Sequence, residues 1–320
     1  MPVPDERTTV GAFLRDWISR IVPGTVSEGT LDTYARVIRL YLLPAFADIP
    51  LVRLTPAHVD DLLRSMEERG LAGETRRMAR AVLRRALRRA EQEELLTRNV
   101  AAIADGPNIR RGEGRTLSPD EARALIAASR GERLQAAFSA ALSLGLRRGE
   151  VLGLRWKDLD LDGAVPTAAI TKQLQRTKRG LELVDVKTQR SRRRLHLPPP
   201  LVEDLRRHRS RQNEDRFALG AEWRDVLGLV FTTPLGTPVD PRNFSRLVGE
   251  LCQKAGIGHW SPHELRHSCA SLLLAQGVPL EVVSEVLGHS SIRVTKDVYG
   301  HLLAPARAQA AAAMQRTLWS

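Results

Sequence analysis

Three short segments in the second part of the chain carry the side chains best suited to chemistry. Gly145-Leu146-Arg147-Arg148-Gly149-Glu150 sets Arg147 and Glu150 three apart, on one side of a helical turn. Ser261-Pro262-His263-Glu264-Leu265-Arg266-His267 opens with a capping box, which puts His263 and Arg266 on one face of a helix's first turn. Leu287-Gly288-His289-Ser290-Ser291 places His289 just past a helix end, and Tyr299 follows ten residues later. Singly each is ordinary, since an Arg–Glu pair at this spacing is usually a surface ion pair and a helical histidine is usually structural. Together they supply a phenol, two guanidinium groups and several imidazoles. A phenol ionises near pH ~10, so its attack on a phosphodiester at neutral pH needs a base and a positive surround. Planar guanidinium forks suit the negative charge that such an attack loads onto phosphate oxygens.

The charge of the chain fits a polyanionic partner. Its 320 residues hold 49 Lys and Arg against 37 Asp and Glu, a formal surplus of +12, and 42% are hydrophobic. At roughly 100–200 residues per domain, that length and apolar content predict two domains with real cores. The surplus is uneven: residues 1–105 hold 16 basic and 15 acidic side chains, so almost all of it lies beyond them. Residues 172–194 carry nine basic side chains (Lys172, Arg176, Lys178, Arg179, Lys187, Arg190, Arg192, Arg193, Arg194) and two acidic ones, interleaved with β-formers. This composition predicts a β-ribbon presenting cations at fixed positions. A second basic surface lies on a helix predicted over 74–94. At about 100° per residue, Met78, Ala79, Val82, Leu83, Ala86, Leu87 and Ala90 share its apolar half, and Arg76, Arg77, Arg80, Arg84, Arg85 and Arg88 lie opposite. Such a helix packs on its own domain while offering guanidinium groups to phosphates; an ordinary solvated face would mix signs, and no acid lies between Glu74 and Glu91.

Other classes are disfavoured. The longest nearly apolar run, 136–146, is well short of the roughly 20 residues needed to span a membrane. Asp5, Glu6 and Arg7 stand where a signal peptide would place apolar residues, so the expectation is a cytoplasmic protein without a membrane partner. Cys252 and Cys269 fall in apolar helical patterns and are expected in the core, as are Trp156, Trp223 and Trp260.

Helices position most of these groups. Helices are predicted at 10–21, at 30–42 (ended by Pro44), from Thr55-Pro56 to Gly70, and over the arginine-rich stretch, giving a helical domain at 7–104. Residues 105–115, with Gly106, Pro107, Gly112 and Gly114 among Arg110, Arg111 and Arg115, have the composition of a basic linker that would let two domains clamp around a partner. The second domain, 116–320, opens on the capping box Ser118-Pro119-Asp120-Glu121 and stays helical to about residue 154. The basic β segment follows, then a turn at 198–200, a helix at 201–215 and a mixed region to 237. Further helices are predicted at 243–255, 262–276, 280–287, 292–301 and 304–318.

In that order the segments resemble the tyrosine recombinase (phage integrase) family over nearly the whole chain. Arg147 and Glu150 match the family's G-x-R-x-x-E segment, as its first catalytic arginine and supporting carboxylate. Lys187-Thr188-Gln189-Arg190-Ser191-Arg192-Arg193 is similar to the K-T-x-x-S-x-R run that carries the β-ribbon lysine. His263 and Arg266 fill H-x-x-R, His289 fills L-G-H, Tyr299 is the nucleophile, and His267 becomes a supporting histidine. The resemblance implies a mainly α fold with a small antiparallel β-sheet: an N-terminal helical (SAM-like) bundle that grips DNA and a mixed α/β catalytic domain.

It further implies a site-specific recombinase that cuts and rejoins double-stranded DNA at attachment sites through a 3′-phosphotyrosine, integrating or excising a phage or other mobile element. Lys187, among cations that lower its pKa, suits protonation of the leaving 5′-oxygen, and which histidine serves as base stays open. Bond energy is kept in the phosphotyrosine, so no ATP, metal or other cofactor is expected, and no Gly-Lys-Ser/Thr phosphate loop occurs. Arg76, Arg77, Arg80, Arg84, Arg85, Arg88, Lys172, Arg190 and Arg192 are the expected DNA contacts. The implied partners are a homotetramer on two DNA sites, with 304–318 docking on a neighbouring protomer, and an accessory excisionase or host DNA-bending protein; the implied location is nucleoid-associated. Residues ahead of about residue 7 are too few for the arm-binding domain many integrases carry, so recognition of separate arm-type sites is not expected.

Other readings compete. A cellular Xer-like recombinase shares every motif. A type IB topoisomerase shares the chemistry but would relax supercoils as a monomer, and a DNA-binding regulator of this fold would not need Tyr299. His263-Glu264-Leu265-Arg266-His267 also spells the H-E-x-x-H of zinc proteases, with Glu281 or Glu285 as third ligand. Against that reading, Arg266 would set a cation beside a ligand, and a protease needs neither the +12 surplus nor the arginine helix.

Overall fold

Apolar spacing in the first hundred residues builds helices throughout. The computed structural model describes residues 7–106, 115–186, 188–225, 227–289, 291–299, 312 and 314–318. The chain divides into two units, Met1–Arg111 and Gly112–Ser320. The first contains α1 (Val10–Asp16), α2 (Glu28–Val37), α3 (Leu43–Phe46), α4 (Pro56–Glu68), α5 (Gly73–Gln92) and α6 (Val100–Ile103). Thr9 caps α1 and Thr55 caps α4, each accepting from a first-turn N–H. The α5 residues Ala79, Val82, Leu83, Ala86, Leu87 and Ala90 are buried, as the periodicity predicts, in a core with Phe13, Leu14, Trp17, Leu42 and Phe46. Met78 is the exception, at 36% exposed.

Pro44 does not end the second helix. A π-helical turn over Ile38–Leu42 continues α2, with the Leu43 N–H reaching back to the Ile38 carbonyl. The widened turn takes up a proline that lacks an N–H and would crowd a regular i→i−4 ladder, so helix continues through Phe46.

The second unit places α7 (Pro119–Ala128), α8 (Gln135–Ser143) and α9 (Arg148–Leu152) before the strands β1 (Leu159–Asp160), β2 (Thr167–Ile170), β3 (Lys172–Thr177), β4 (Gly180–Asp185) and β5 (Arg193–His196). The helices α10 (Pro199–Leu219), α11 (Pro241–Lys254), α12 (Pro262–Ala275), α13 (Leu280–Leu287) and α14 (Ile292–Tyr299) follow. The fold is mainly α, but the strands form two antiparallel sheets where one was expected: β1-β2-β5, and a β3-β4 ribbon in register from Lys172↔Asp185 to Thr177↔Gly180. The prolines at 198–200 are not a separate turn. Pro198 is the N-cap of α10 and Pro199 its first residue, where the missing N–H costs nothing, and the helix runs on to Leu219.

The core of this unit gathers α8, buried on nearly all sides, with Phe231, Phe244, Leu251 and Cys252. Phe138 stacks on Phe244 at 5.6 Å. Cys269 is also buried, as is Trp260, with the Arg115 guanidinium 4.1 Å from its ring; Trp156 and Trp223 are half-buried. Of the helix expected at 304–318, only 312 and 314–318 are described, and they are helical. No helix among the described residues is long and apolar enough to cross a membrane.

Candidate active site

The short helix α9 is seated by two glycines. A Cβ on Gly153 would lie 2.7 Å from the Gln173 Cα, and one on Gly149 2.9 Å from the Leu174 carbonyl oxygen, so only glycine lets α9 rest on the β3 backbone. Arg147 is the N-cap of this helix and Glu150 its third residue. The Glu150 carboxylate, 1% exposed, accepts from the Arg147 N–H (3.0 Å) and Nη1 (2.8 Å). Arg193 at the start of β5 forks onto the same carboxylate, with Nη2 2.9 Å and Nη1 3.3 Å from its two oxygens. Burial works to raise the Glu150 pKa, but the charges and hydrogen bonds of Arg193 and Arg147 outweigh it and hold the carboxyl below its usual range.

The C-terminus of α13 is tied down by three arginines from three elements. Arg193 Nε donates to the Val286 carbonyl (2.6 Å), Arg266 Nη2 to Leu287 (2.6 Å) and Arg147 Nη2 to Gly288 (3.2 Å). Carbonyls at a helix C-terminus lack intrahelical partners and carry the negative end of the helix dipole, so cations are the fitting caps. Arg266, 3% exposed, also donates to the Gly145 carbonyl at 2.7 Å. Burial, then the Arg147 charge, lowers its pKa to about 9. Gly288 closes α13 in the left-handed region (φ 63°, ψ 49°). His289 follows, its Nδ1 2.8 Å from the Thr295 hydroxyl. Desolvation and the charges of Arg266 and Arg147 push His289 down to about 4.

Tyr299, the last residue of α14, is 3% exposed and its hydroxyl meets Nδ1 of His267. Nε2 of His267 lies 3.2 Å from Nε2 of His263, one helical turn earlier on α12. Burial raises the Tyr299 pKa, opposed in part by Arg266. Burial also lowers both histidines, helped at His263 by Arg266 and at His267 by His263. The arrangement joins a phenol to two imidazoles beside two arginines, of which Arg147 keeps 38% of its side chain exposed.

Among the predicted residues, the structure therefore brings together Arg147, Glu150, His263, Arg266, His267, His289 and Tyr299. Lys187 lies outside the described residues. Lys172 on the ribbon and Arg192 just before β5 both pair with Asp185, at 3.2 and 3.0 Å, and Arg190, in the turn between them, is exposed. On α5, Arg84 and Arg88 are exposed, Arg77 pairs with Glu74, and Arg85 donates to the Tyr34 hydroxyl. Arg76 and Arg80 differ from the expectation. Arg76, with 15% of its side chain exposed, pairs with Glu67 at 2.7 Å, and Arg80 donates to the Ala102 and Ala104 carbonyls, so both hold their own unit together.

The sequence places Arg193 among the ribbon's cations and at the end of the K-T-x-x-S-x-R run, without assigning it to the site. Strand alternation was the available signal: on β5, Arg193 and Leu195 point inward while Arg194 and His196 are exposed. The zinc-protease reading fails at Glu264, whose carboxylate caps α12 by accepting from the Ser261 N–H (2.8 Å) and so is spent as a base. Among the described residues no three His, Cys, Asp or Glu side chains cluster as metal ligands.

Residues 115–305 match the family model described as the phage integrase family, and residues 10–107 that of the phage integrase central domain. An integrase of Streptomyces ambofaciens is 31% identical over 308 residues, covering 93% of this chain and 77% of that protein. The integrase of transposon Tn1549, solved with a circular intermediate DNA, aligns over 97% of this chain and 99% of its own at a TM-score of 0.80 and 21% identity. Lambda integrase, solved as a tetramer on a Holliday junction, aligns over 92% of this chain and 78% of its own at a TM-score of 0.62 and 18% identity. At these identities the two structures speak to the fold.

Proposed function

The chain belongs to the phage integrase family, and from that membership we propose that it is the site-specific recombinase of a mobile element, with Tyr299 as the residue that joins covalently to DNA. The observation that carries the assignment is the placement of the Tyr299 hydroxyl against His267, with Arg266 near enough to oppose the rise in its pKa. A buried phenol held to a neutral imidazole and facing guanidinium charge is a nucleophile set for a phosphate.

In the proposed cycle the Tyr299 oxygen attacks the scissile phosphorus and its proton passes to His267. The bond from phosphorus to the 5′-oxygen breaks, leaving a 3′-phosphotyrosyl strand and a 5′-hydroxyl. Arg147 and Arg266 meet the charge on the non-bridging oxygens, with His263 and His289 as neighbouring hydrogen-bond partners. On its sequence run, Lys187 protonates the leaving oxygen. Attack by the 5′-hydroxyl of a second strand reverses these steps and rejoins the DNA. Residues 7–104 serve as the core-type DNA-binding domain and 116–320 as the catalytic domain. Four protomers work on two double-stranded sites, a reading supported by the lambda tetramer, and the place of action is the nucleoid.

A nicked suicide substrate, incubated in EDTA with wild type and Tyr299→Phe, tests this. A 3′-phosphotyrosyl adduct from wild type alone is the expected result. Metal-dependent cleavage, or an adduct that persists in the variant, overturns the assignment.

A further inference from the structure

Arg193 sits in a basic run and yet is turned into the protein. Its side chain is 7% exposed, whereas Arg192 and Arg194 on either side are exposed. Nε donates to the Val286 carbonyl at 2.6 Å, Nη1 to the Ser191 carbonyl at 3.1 Å and to Glu150 Oε1 at 3.3 Å, and Nη2 to Glu150 Oε2 at 2.9 Å. The guanidinium also sits close against Gly288, where an added Cβ would be 2.9 Å from Nη1 and 3.2 Å from Cζ. One side chain thus touches both the carboxylate that holds Arg147 and the glycine that precedes His289.

We propose that Arg193 is a positioning residue for strand cleavage: it fixes Arg147 through their shared Glu150, and fixes His289 through Val286 and Gly288. The proposal rests on the phosphotyrosine reading above. Its logic is that of a shared counter-charge. Glu150 accepts one bond from the Arg147 guanidinium, one from the Arg147 backbone N–H and two from the Arg193 guanidinium, so the two cations share the carboxylate. Without Arg193, a carboxylate that is 1% exposed has Arg147 as its remaining hydrogen-bonded cation and draws it inward, away from a phosphate. Lysine at this position keeps the charge but not the fork, so it cannot span Glu150 and the Val286 carbonyl together.

The test compares Arg193→Lys with wild type in single-turnover cleavage of two suicide substrates. One has an ordinary scissile phosphodiester. The other has a methylphosphonate there, which lacks the charged non-bridging oxygen that Arg147 would meet. The expected result is cleavage of the phosphodiester slowed by about 100-fold, the usual cost of one misplaced transition-state donor, at unchanged DNA affinity. Cleavage of the methylphosphonate stays within about threefold of wild type. Equal slowing on both substrates, or no slowing on the phosphodiester, overturns the proposal. Should Arg193→Lys unfold below the assay temperature, Gly288→Ala, which crowds Arg193, carries the same comparison with the same outcomes. If wild type itself forms no adduct, the phosphotyrosine reading fails; if wild type reacts and the variants match it on both substrates, the role of Arg193 alone fails.

Discussion

The Tyr299 hydroxyl lies against Nδ1 of His267, and this contact sets the tautomers of two histidines. Burial keeps the phenol protonated at neutral pH, so it donates to Nδ1. His267 must then carry its own proton on Nε2, which donates to His263 Nε2 at 3.2 Å, leaving the His263 proton on Nδ1. The proton lost by an attacking Tyr299 thus has a path through one ring toward a second that is more exposed.

Replacing His267 by Gln keeps a hydrogen-bonding group but removes the proton acceptor. Adduct formation should slow by about 10²–10⁴-fold, the usual worth of a positioned base, with DNA affinity unchanged. The pH dependence is the sharper reading. Because burial and the His263 charge lower the His267 pKa, the wild-type rate should fall only below pH 6.5, as that ring takes up a proton. A rate profile from His267→Gln that keeps the same acid limb would assign the limb to another group.

Stability should also fall in mild acid. His263, His267 and His289 all have lowered pKa values, His289 to about 4 from 6.5, so between these values the unfolded chain binds more protons than the folded one. Their contribution is present above pH 6.5 and is lost as pH falls below it, for His289 as pH falls toward about 4. Melting temperatures measured across this range should decline for the free protein. They should decline less with a DNA duplex bound, since a phosphate between the rings favours their charged forms.

Much of this arrangement was legible from local rules. The capping boxes at Ser118 and Ser261, the left-handed Gly288 before His289, and the buried stripe of α5 follow from spacing and residue type alone. What was not legible depends on contacts distant in sequence. Arg193 ends the K-T-x-x-S-x-R run, but its place in the site shows only when Glu150, 43 residues earlier, and Val286, 93 residues later, close on it. Arg76 and Arg80 look like phosphate contacts until Glu67 and the 102 and 104 carbonyls claim them. Pro44 misleads because the π-turn that absorbs it leaves no mark in the apolar periodicity.

The arginines of α5 should accordingly split into two groups. Arg84 and Arg88 are exposed, so Arg84→Gln and Arg88→Gln should each weaken DNA binding and flatten its salt dependence by about 0.9 in the slope of log K against log salt. Arg76→Gln and Arg80→Gln should leave that slope nearly unchanged and instead lower the melting temperature of the first unit. Binding titrations at several salt concentrations, paired with melting curves, separate the groups; a full slope loss from Arg76→Gln would place its guanidinium on the DNA.

Glu150 should be the most sensitive single charge in the second unit. Its carboxylate is 1% exposed and meets two arginines, one of them with 7% of its side chain exposed. Glu150→Gln leaves that buried guanidinium without a counter-charge, a loss that typically costs about 3–5 kcal/mol. The sign with pH follows from the lowered carboxyl pKa: the contribution is present above pH 4.5 and is lost as pH falls through the lower folded value. Urea unfolding of Glu150→Gln at neutral pH should therefore show a lower midpoint. As pH drops below 4.5, wild type should converge on the variant, because protonation does to Glu150 what the substitution does permanently. Removing both partners, as in Glu150→Gln with Arg193→Met, should recover part of the loss, since no buried charge is then left unpaired. A double variant no more stable than Glu150→Gln would show that Arg193 draws its stability from the Val286 and Ser191 carbonyls rather than from the carboxylate.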